Sequence, residues 1–232
     1  MPSLSDALNS QIGRKLLTGI TGLLLLLFVI VHLAGNLAIF GDAEAMNRYS
    51  QTLHSFGPLL WVARIGLLIA FLLHAWIGIS IWWNKRKARP QKYEVYSSRG
   101  GPSRQSISSR SMALTGVVLL IFVVIHLDTF ALAEKDAVMI DGQQTHDIKQ
   151  LVIDTFQSPV YAFGYTIVMI LLGVHLGHGV WSAFTSLTMK SKKMSASVYA
   201  IGIAIAVILA IGFLFIPLYI YFTGGEGFLI SY

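Results

Sequence analysis

The sequence predicts an all-α integral membrane protein whose five transmembrane helices form one bundle. Three observations predict it. Of 232 residues, 55% are apolar and only 12% are charged, whereas a soluble domain carries about 25% charged residues. Five apolar runs reach the length a helix needs to cross a bilayer, about 20 residues. They cover residues 16–40, 59–83, 112–133, 160–187 and 198–222. An open sheet cannot satisfy its backbone in hydrocarbon, so the runs are expected to be helices. No stretch is left for a soluble domain, and residues 1–232 read as a single membrane domain.

Each element has its own signals. Residues 1–15 are polar and suit a short surface helix with Ser5 or Asp6 as its cap. The first span ends outside in GNLAIFGD, and residues 41–57 make a short outer loop. Pro58 opens the second span, which closes with Trp82, Trp83 and the basic run KRKARP, an interfacial belt and a stop. Residues 91–110 are rich in Ser, Gly and Arg and read as a flexible loop. The third span ends near Thr129. Residues 134–158 are the longest outer segment, and their IKQLVIDTF suits a short amphipathic helix on the surface. Pro159 opens the fourth span, and residues 190–193 make a second basic turn. The fifth span lacks histidine, and its Gly, Ala and Ile content reads as packing and lipid contact.

The net charge of +6 does not point to nucleic acid, because of where the charges fall. Two basic residues precede the first span, eight lie in residues 84–110 and three in residues 190–193, of 17 in all. All of these fall on one side of a five-span chain. The other side holds Arg48, Lys135 and Lys149, has Arg64 nearby, and gathers most of the acids. The positive-inside rule puts the N-terminus in the cytoplasm and the C-terminus outside. Cysteine is absent, which excludes disulfides, cysteine-bound iron–sulfur clusters and thioether-attached haem. The first span is longer than a signal-peptide core, shows no clear cleavage site and carries His32, so it is expected to stay as a permanent helix.

The candidate site begins with a repeat. TGLLLLLFVIVHL at residues 21–33 returns 94 residues later as TGVVLLIFVVIHL at 115–127; eight of thirteen positions are identical. Each copy carries one histidine, His32 and His126. Imidazole in an apolar span is costly unless something binds it. His74, His175 and His178 also lie in spans, while His54 and His146 lie in outer loops. Helix rise gives depths. His32 is seventeen residues from Lys15 and His126 sixteen from Arg110, roughly 25 and 24 Å from the basic side. His74 is eleven residues before Lys85, roughly 16 Å, and His175 fifteen before Lys190, roughly 22 Å on a helix expected to project past the bilayer. The spacing pairs His32 with His126 and, more loosely, His74 with His175. His178 fits His74 slightly better by depth alone.

Two imidazoles facing each other on separate helices suit axial ligation of haem iron. A zinc site would cluster His, Cys and carboxylates. Two stacked b haems, bound on both faces, would carry electrons and leave no position open for substrate. Gly78 and Gly179 follow His74 and His175 by four residues, one turn along the same face, where a side chain would collide with a planar ring. Gly22 and Gly116 sit ten residues before His32 and His126, about 15 Å toward the basic side. Close helix packing explains these four glycines equally well.

On His32 in HLAGN, His74 in LLHAWIG, His126 in IHLDTF, His175 in VHLGHGVW and the segment YSQTLHSFGPLLWVARIGLL, the chain resembles the single-chain, five-helix, two-haem cytochrome b membrane subunit of succinate:quinone oxidoreductases. The resemblance covers nearly the whole chain. It implies His32 and His126 as ligands of a distal haem b, and His74 and His175 as ligands of a proximal one. It also prefers His175 to His178. It implies a flavoprotein subunit that oxidises succinate or reduces fumarate, an iron–sulfur subunit docked on the cytoplasmic face, and a membrane quinone, often menaquinone. The setting is a bacterial inner membrane, and the complex is compatible with a homo-oligomer. Near the outer haem, Asn36, His54, Arg64 and Asp128 are candidates for quinone, with Arg64 equally suited to a propionate. The second span lacks the glutamate that serves quinol oxidation in some relatives. Two other readings stay open. One is a cytochrome b subunit of a hydrogenase or formate dehydrogenase. The other is a haem-free transporter using histidines as a proton relay.

Overall fold

The computed structural model describes residue 3, residue 6, and residues 10–88, 107–187 and 192–225. Of the expected loop at 91–110 and turn at 190–193, residues 91–106 and 190–191 lie outside these residues, as does most of the segment 1–9 with Ser5; residues 107–110 and 192–193 are helical instead. Five helices are long and apolar enough to cross a membrane: Gln11–Phe40, Pro58–Lys87, Ser108–Leu132, Pro159–Ser186 and Ala196–Thr223. The chain is thus an all-α membrane protein with five spans. In chain order its helices are α1 (Gln11–Asn36), α2 (Ala45–Ser55), α3 (Pro58–Lys87), α4 (Ile107–His126), α5 (Ile148–Gln157), α6 (Pro159–Ser186) and α7 (Lys192–Thr223). A 3₁₀ turn, Leu37–Phe40, extends α1, and a π turn, Leu127–Leu132, extends α4. Large apolar side chains on the spans stand exposed, Trp76 and Val160 among them, as they would on a surface that lipid covers.

The chain divides into two compact units; each of the five spans contributes to both, and the short helices α2 and α5 belong to the second. The first unit comprises Met1–Leu27, Leu67–Leu120 and Leu171–Ile208. Its helices approach closely at glycines. A Cβ added at Gly19 would lie 3.4 Å from the backbone oxygen of Ala183, and one at Gly202 would lie 3.0 Å from Val180. The second unit comprises Phe28–Gly66, Ile121–Ile170 and Leu209–Tyr232. Here Gly212 is pressed against the buried Leu33, at 2.7 Å from where a Cβ would stand. The glycines of the fifth span therefore serve packing, as close approach in membranes requires.

The polar segments are more ordered than expected. Residues 41–57 are not a loop: they hold α2, whose buried face is Met46, Asn47 and Ser50. Asn47 donates to Asp147 Oδ1 at 2.9 Å, and its own oxygen accepts from the backbone of Lys149 at 2.9 Å. Asp147 also caps α5, accepting from Gln150 N at 3.0 Å. Thus IKQLVIDTF does form a short helix, with Val152 and Phe156 buried. Between α4 and α5 lies a hairpin, β1 (Ala137–Ile140) and β2 (Gln143–His146), antiparallel. Asp141 and Gly142 turn it with φ of 49° and 76°, the signature of a two-residue hairpin turn with Asp-Gly at its centre. Arg48 gathers Asp42, Glu44 and Asp141 at 3.4, 2.9 and 3.3 Å. All four are well exposed, so these ion pairs add little stability.

Candidate functional site

Each unit brings one pair of histidines together. In the second unit the rings of His32 and His126 are 5.7 Å apart, centre to centre, and nearly perpendicular at 88°. In the first unit His74 and His175 are 6.4 Å apart, at 71°. The ring facing His74 is that of His175. His178 lies one turn along α6 and is half-buried.

The His32–His126 pair is walled by aromatic rings. Phe28 stacks on His32 at 5.2 Å and 19°, and Phe122 stacks on His126 at 5.6 Å and 28°. Both contacts span four residues of one helix, the spacing that puts side chains on the same face. Phe28 and Phe122 are equivalent positions of the repeat. Phe213 adds a ring at 5.9 Å from His32, while Phe130 and Tyr165 stand 5.3 and 6.2 Å from His126. Two polar atoms in this cluster are buried without a hydrogen bond: His126 Nδ1 and the Tyr165 hydroxyl. Thr129, whose hydroxyl donates to Ile125 O at 2.8 Å, lies toward Tyr165. Directly after His126 the helix widens into its π turn, a local form that recurs at functional sites.

The His74–His175 pair is held by hydrogen bonds instead. His74 Nδ1 lies 3.3 Å from Thr21 Oγ1 and 3.2 Å from Thr18 O. His175 Nδ1 lies 3.0 Å from Thr115 Oγ1. Thr21 and Thr115 are both buried. The glycine after each threonine faces the ring, and at Gly22 the space is tight. A Cβ on Gly22 would stand 3.1 Å from His74 Cε1, and one on Gly116 would stand 3.5 Å from His175 Cε1. Gly78 and Gly179 differ: a Cβ on either would meet nothing within 4 Å. They therefore mark no close helix contact.

The second-unit candidates for quinone are not drawn into one cluster. Asn36 donates to His32 O of its own helix at 2.7 Å. His54 is exposed, bonded through Nδ1 to Ser50 O at 2.8 Å, with its ring 6.3 Å from that of His146. Arg64 is exposed and lies over Trp61 at 5.1 Å. Asp128 is exposed on the π turn. Among the described residues no hydrogen bond joins any two of these four.

The histidine pairs fit an axially ligated haem iron. A metal–imidazole bond is about 2 Å, and the bonding nitrogen is roughly 1 Å from its ring centre. Two imidazoles on opposite sides of one iron thus have centres about 6 Å apart, and the observed 5.7 and 6.4 Å bracket that. Among the described residues no group of three or more His, Cys, Asp or Glu could hold a metal ion; the donors come in twos. Residue type alone gave no reason to single out Thr21, Thr115, Phe28, Phe122 or Tyr165. The repeat did carry a signal: the Thr-Gly step and the phenylalanine recur at the same distance before each histidine. Compared with family models, curated proteins and solved structures, the chain matches none.

Proposed function

We propose that the chain is a dihaem cytochrome b membrane subunit that carries electrons between a soluble enzyme and a membrane quinone. The observation that carries this reading is the pair of neighbouring histidine rings in each unit, 5.7 and 6.4 Å apart, one pair supplied by the two copies of the repeat and the other held by their threonines. When bound, each haem b supplies one-electron transfer. The chain's own residues do the rest. His32 with His126, and His74 with His175, would each hold one haem iron. Phe28, Phe122, Phe130 and Phe213 exclude water from the first pair and make an apolar wall for a porphyrin. Gly78 and Gly179 keep the face beside His74 and His175 free of side chains. Asn36, His54, Arg64 and Asp128 would serve a quinone or the propionates.

In finer detail, the chain is the membrane anchor of a succinate:quinone oxidoreductase in a bacterial inner membrane, with its N-terminus in the cytoplasm. A flavoprotein and an iron–sulfur subunit would dock on the cytoplasmic face, where the basic residues gather, and menaquinone or another quinone would exchange electrons with the anchor. The motifs around the four histidines and the charge distribution support this. The test is a pyridine haemochrome assay and a reduced visible spectrum on the purified complex. Two b haems per chain are expected, one after His175→Ala and two after His178→Ala. A colourless preparation of full-length, inserted protein overturns the reading. Succinate-reducible haem with co-purified flavin would separate the succinate enzyme from a hydrogenase or formate dehydrogenase.

A further inference from the structure

The dihaem reading leaves unexplained why two buried threonines on equivalent positions of the repeat both touch the His74–His175 pair. Resting on that reading, we propose that Thr21 and Thr115 are positioning residues: each fixes its histidine as the Nδ1–H tautomer and so turns the Nε2 lone pair to the iron.

Proton counting supports it. A threonine hydroxyl has one hydrogen. Thr21 Oγ1 donates it to Leu17 O at 2.8 Å, and Thr115 Oγ1 to Ser111 O at 3.0 Å. Towards the imidazole each oxygen can then only accept, at 3.3 Å for His74 and 3.0 Å for His175. The hydrogen between them therefore belongs to Nδ1. His74 gives the same answer independently, because its second neighbour is the Thr18 carbonyl at 3.2 Å, and a carbonyl has no hydrogen to give. With Nδ1 protonated, the neutral ring has its lone pair on Nε2. Thr21 and Thr115 are 6% and 2% exposed, so water does not compete for these bonds. Gly22 admits the His74 ring to within reach, since a Cβ there would stand 3.1 Å from it. The accepting threonine is thus written in each copy of the repeat, and in the first copy the glycine beside it leaves the space the ring needs.

A ligating histidine that donates its other ring hydrogen is a stronger donor to the metal and is held in orientation. It favours oxidised over reduced iron. Taking away the acceptor should therefore raise that haem's midpoint potential.

The experiment uses the purified complex with Thr21→Val, Thr115→Val and the matching Ser variants, and reads three quantities. Haem per chain comes from the pyridine haemochrome, midpoint potentials from a spectroelectrochemical titration, and the EPR signal of each oxidised haem from a low-temperature spectrum. Two haems per chain are expected, with one potential raised and one EPR signal shifted in both Val variants, while the Ser variants stay near wild type. Loss of one haem in the Val variants but not in the Ser variants also supports the proposal. It is overturned if the Val variants keep both haems with unchanged potentials and EPR signals. It is equally overturned if Ser and Val variants lose the haem alike, since keeping the hydroxyl would then make no difference. A wild-type complex without haem would sink the dihaem reading itself, a distinct outcome.

Discussion

The two histidine pairs are fixed by opposite means. In the first unit, both Nδ1 atoms have oxygen neighbours at 3.0 to 3.3 Å, supplied by threonines of the helix across from each ring. In the second unit, stacked phenylalanines flank the rings, and His126 Nδ1 is buried with no hydrogen bond at all. Hydrogen bonds set which ring nitrogen carries the proton; aromatic stacking sets the plane of the ring and leaves the proton free to sit on either nitrogen. One repeated stretch supplies both devices, Thr-Gly at its start and Phe-x-x-x-His at its end. A buried polar atom left without a partner costs about 1–3 kcal/mol. The second unit carries that cost at two atoms, His126 Nδ1 and the Tyr165 hydroxyl, and the first unit at none among the described residues.

The comparison can be broken from either side. The largest effect is expected from Gly212→Ala, whose Cβ would stand 2.7 Å from Leu33, the residue after His32, in a place where Leu33 is 7% exposed. Overpacking of this kind costs about 1–3 kcal/mol. The melting temperature of the detergent-solubilised complex should fall by several degrees, and the haem signal assigned to His32 and His126 should change while the other does not. A smaller and more pointed effect is expected from Gly22→Ala set beside Gly116→Ala. The first brings a methyl to 3.1 Å from His74, so the ring must give; the second meets His175 at an ordinary 3.5 Å. EPR should register the first and miss the second, and equal shifts would show that the glycines do not act through the rings. The smallest effect is expected from Asp42→Asn. Glu44's backbone N–H, and then Arg48, hold the Asp42 carboxyl below the usual carboxylate range. The stability it adds is present above its ordinary value of about 4 and fades as the pH falls below it. Wild type and variant should therefore differ in melting temperature at pH 7 and draw together as the pH falls through the lowered folded value.

Much of this was legible in the sequence. The spans were, because apolar runs of this length have one use. The pairing of His32 with His126 was, because depth along a helix can be counted from the flanking lysines and arginines; for His74 depth alone favoured His178, and only the resemblance preferred His175, the ring that stands beside it. The helix Ala45–Ser55 was not, because two of its three buried residues, Asn47 and Ser50, are polar and hide the periodicity. Thr21 and Thr115 were not, because threonine in an apolar helix ordinarily bonds its own backbone, and both do so here as well. Only the approach of a second helix reveals the other face of the hydroxyl. Gly22 and Gly116 were placed at the right depth, yet their neighbour is an imidazole, which spacing within one helix cannot show. The hairpin had a readable mark in Asp141-Gly142, flanked by only four residues on each side and so easily absorbed into a long polar connection.

The π turn at Leu127–Leu132 has a consequence for any attempt to trim this chain. A turn closed five residues on, rather than four, carries one residue beyond the usual helical count. Each such residue swings everything downstream about the axis by about 100°. Cutting a single amino acid from this stretch would thus act as a twist more than a shortening: the segment running on to the Asp141 hairpin would leave the helix in another direction, and Arg48 would keep Asp42 and Glu44 but lose Asp141.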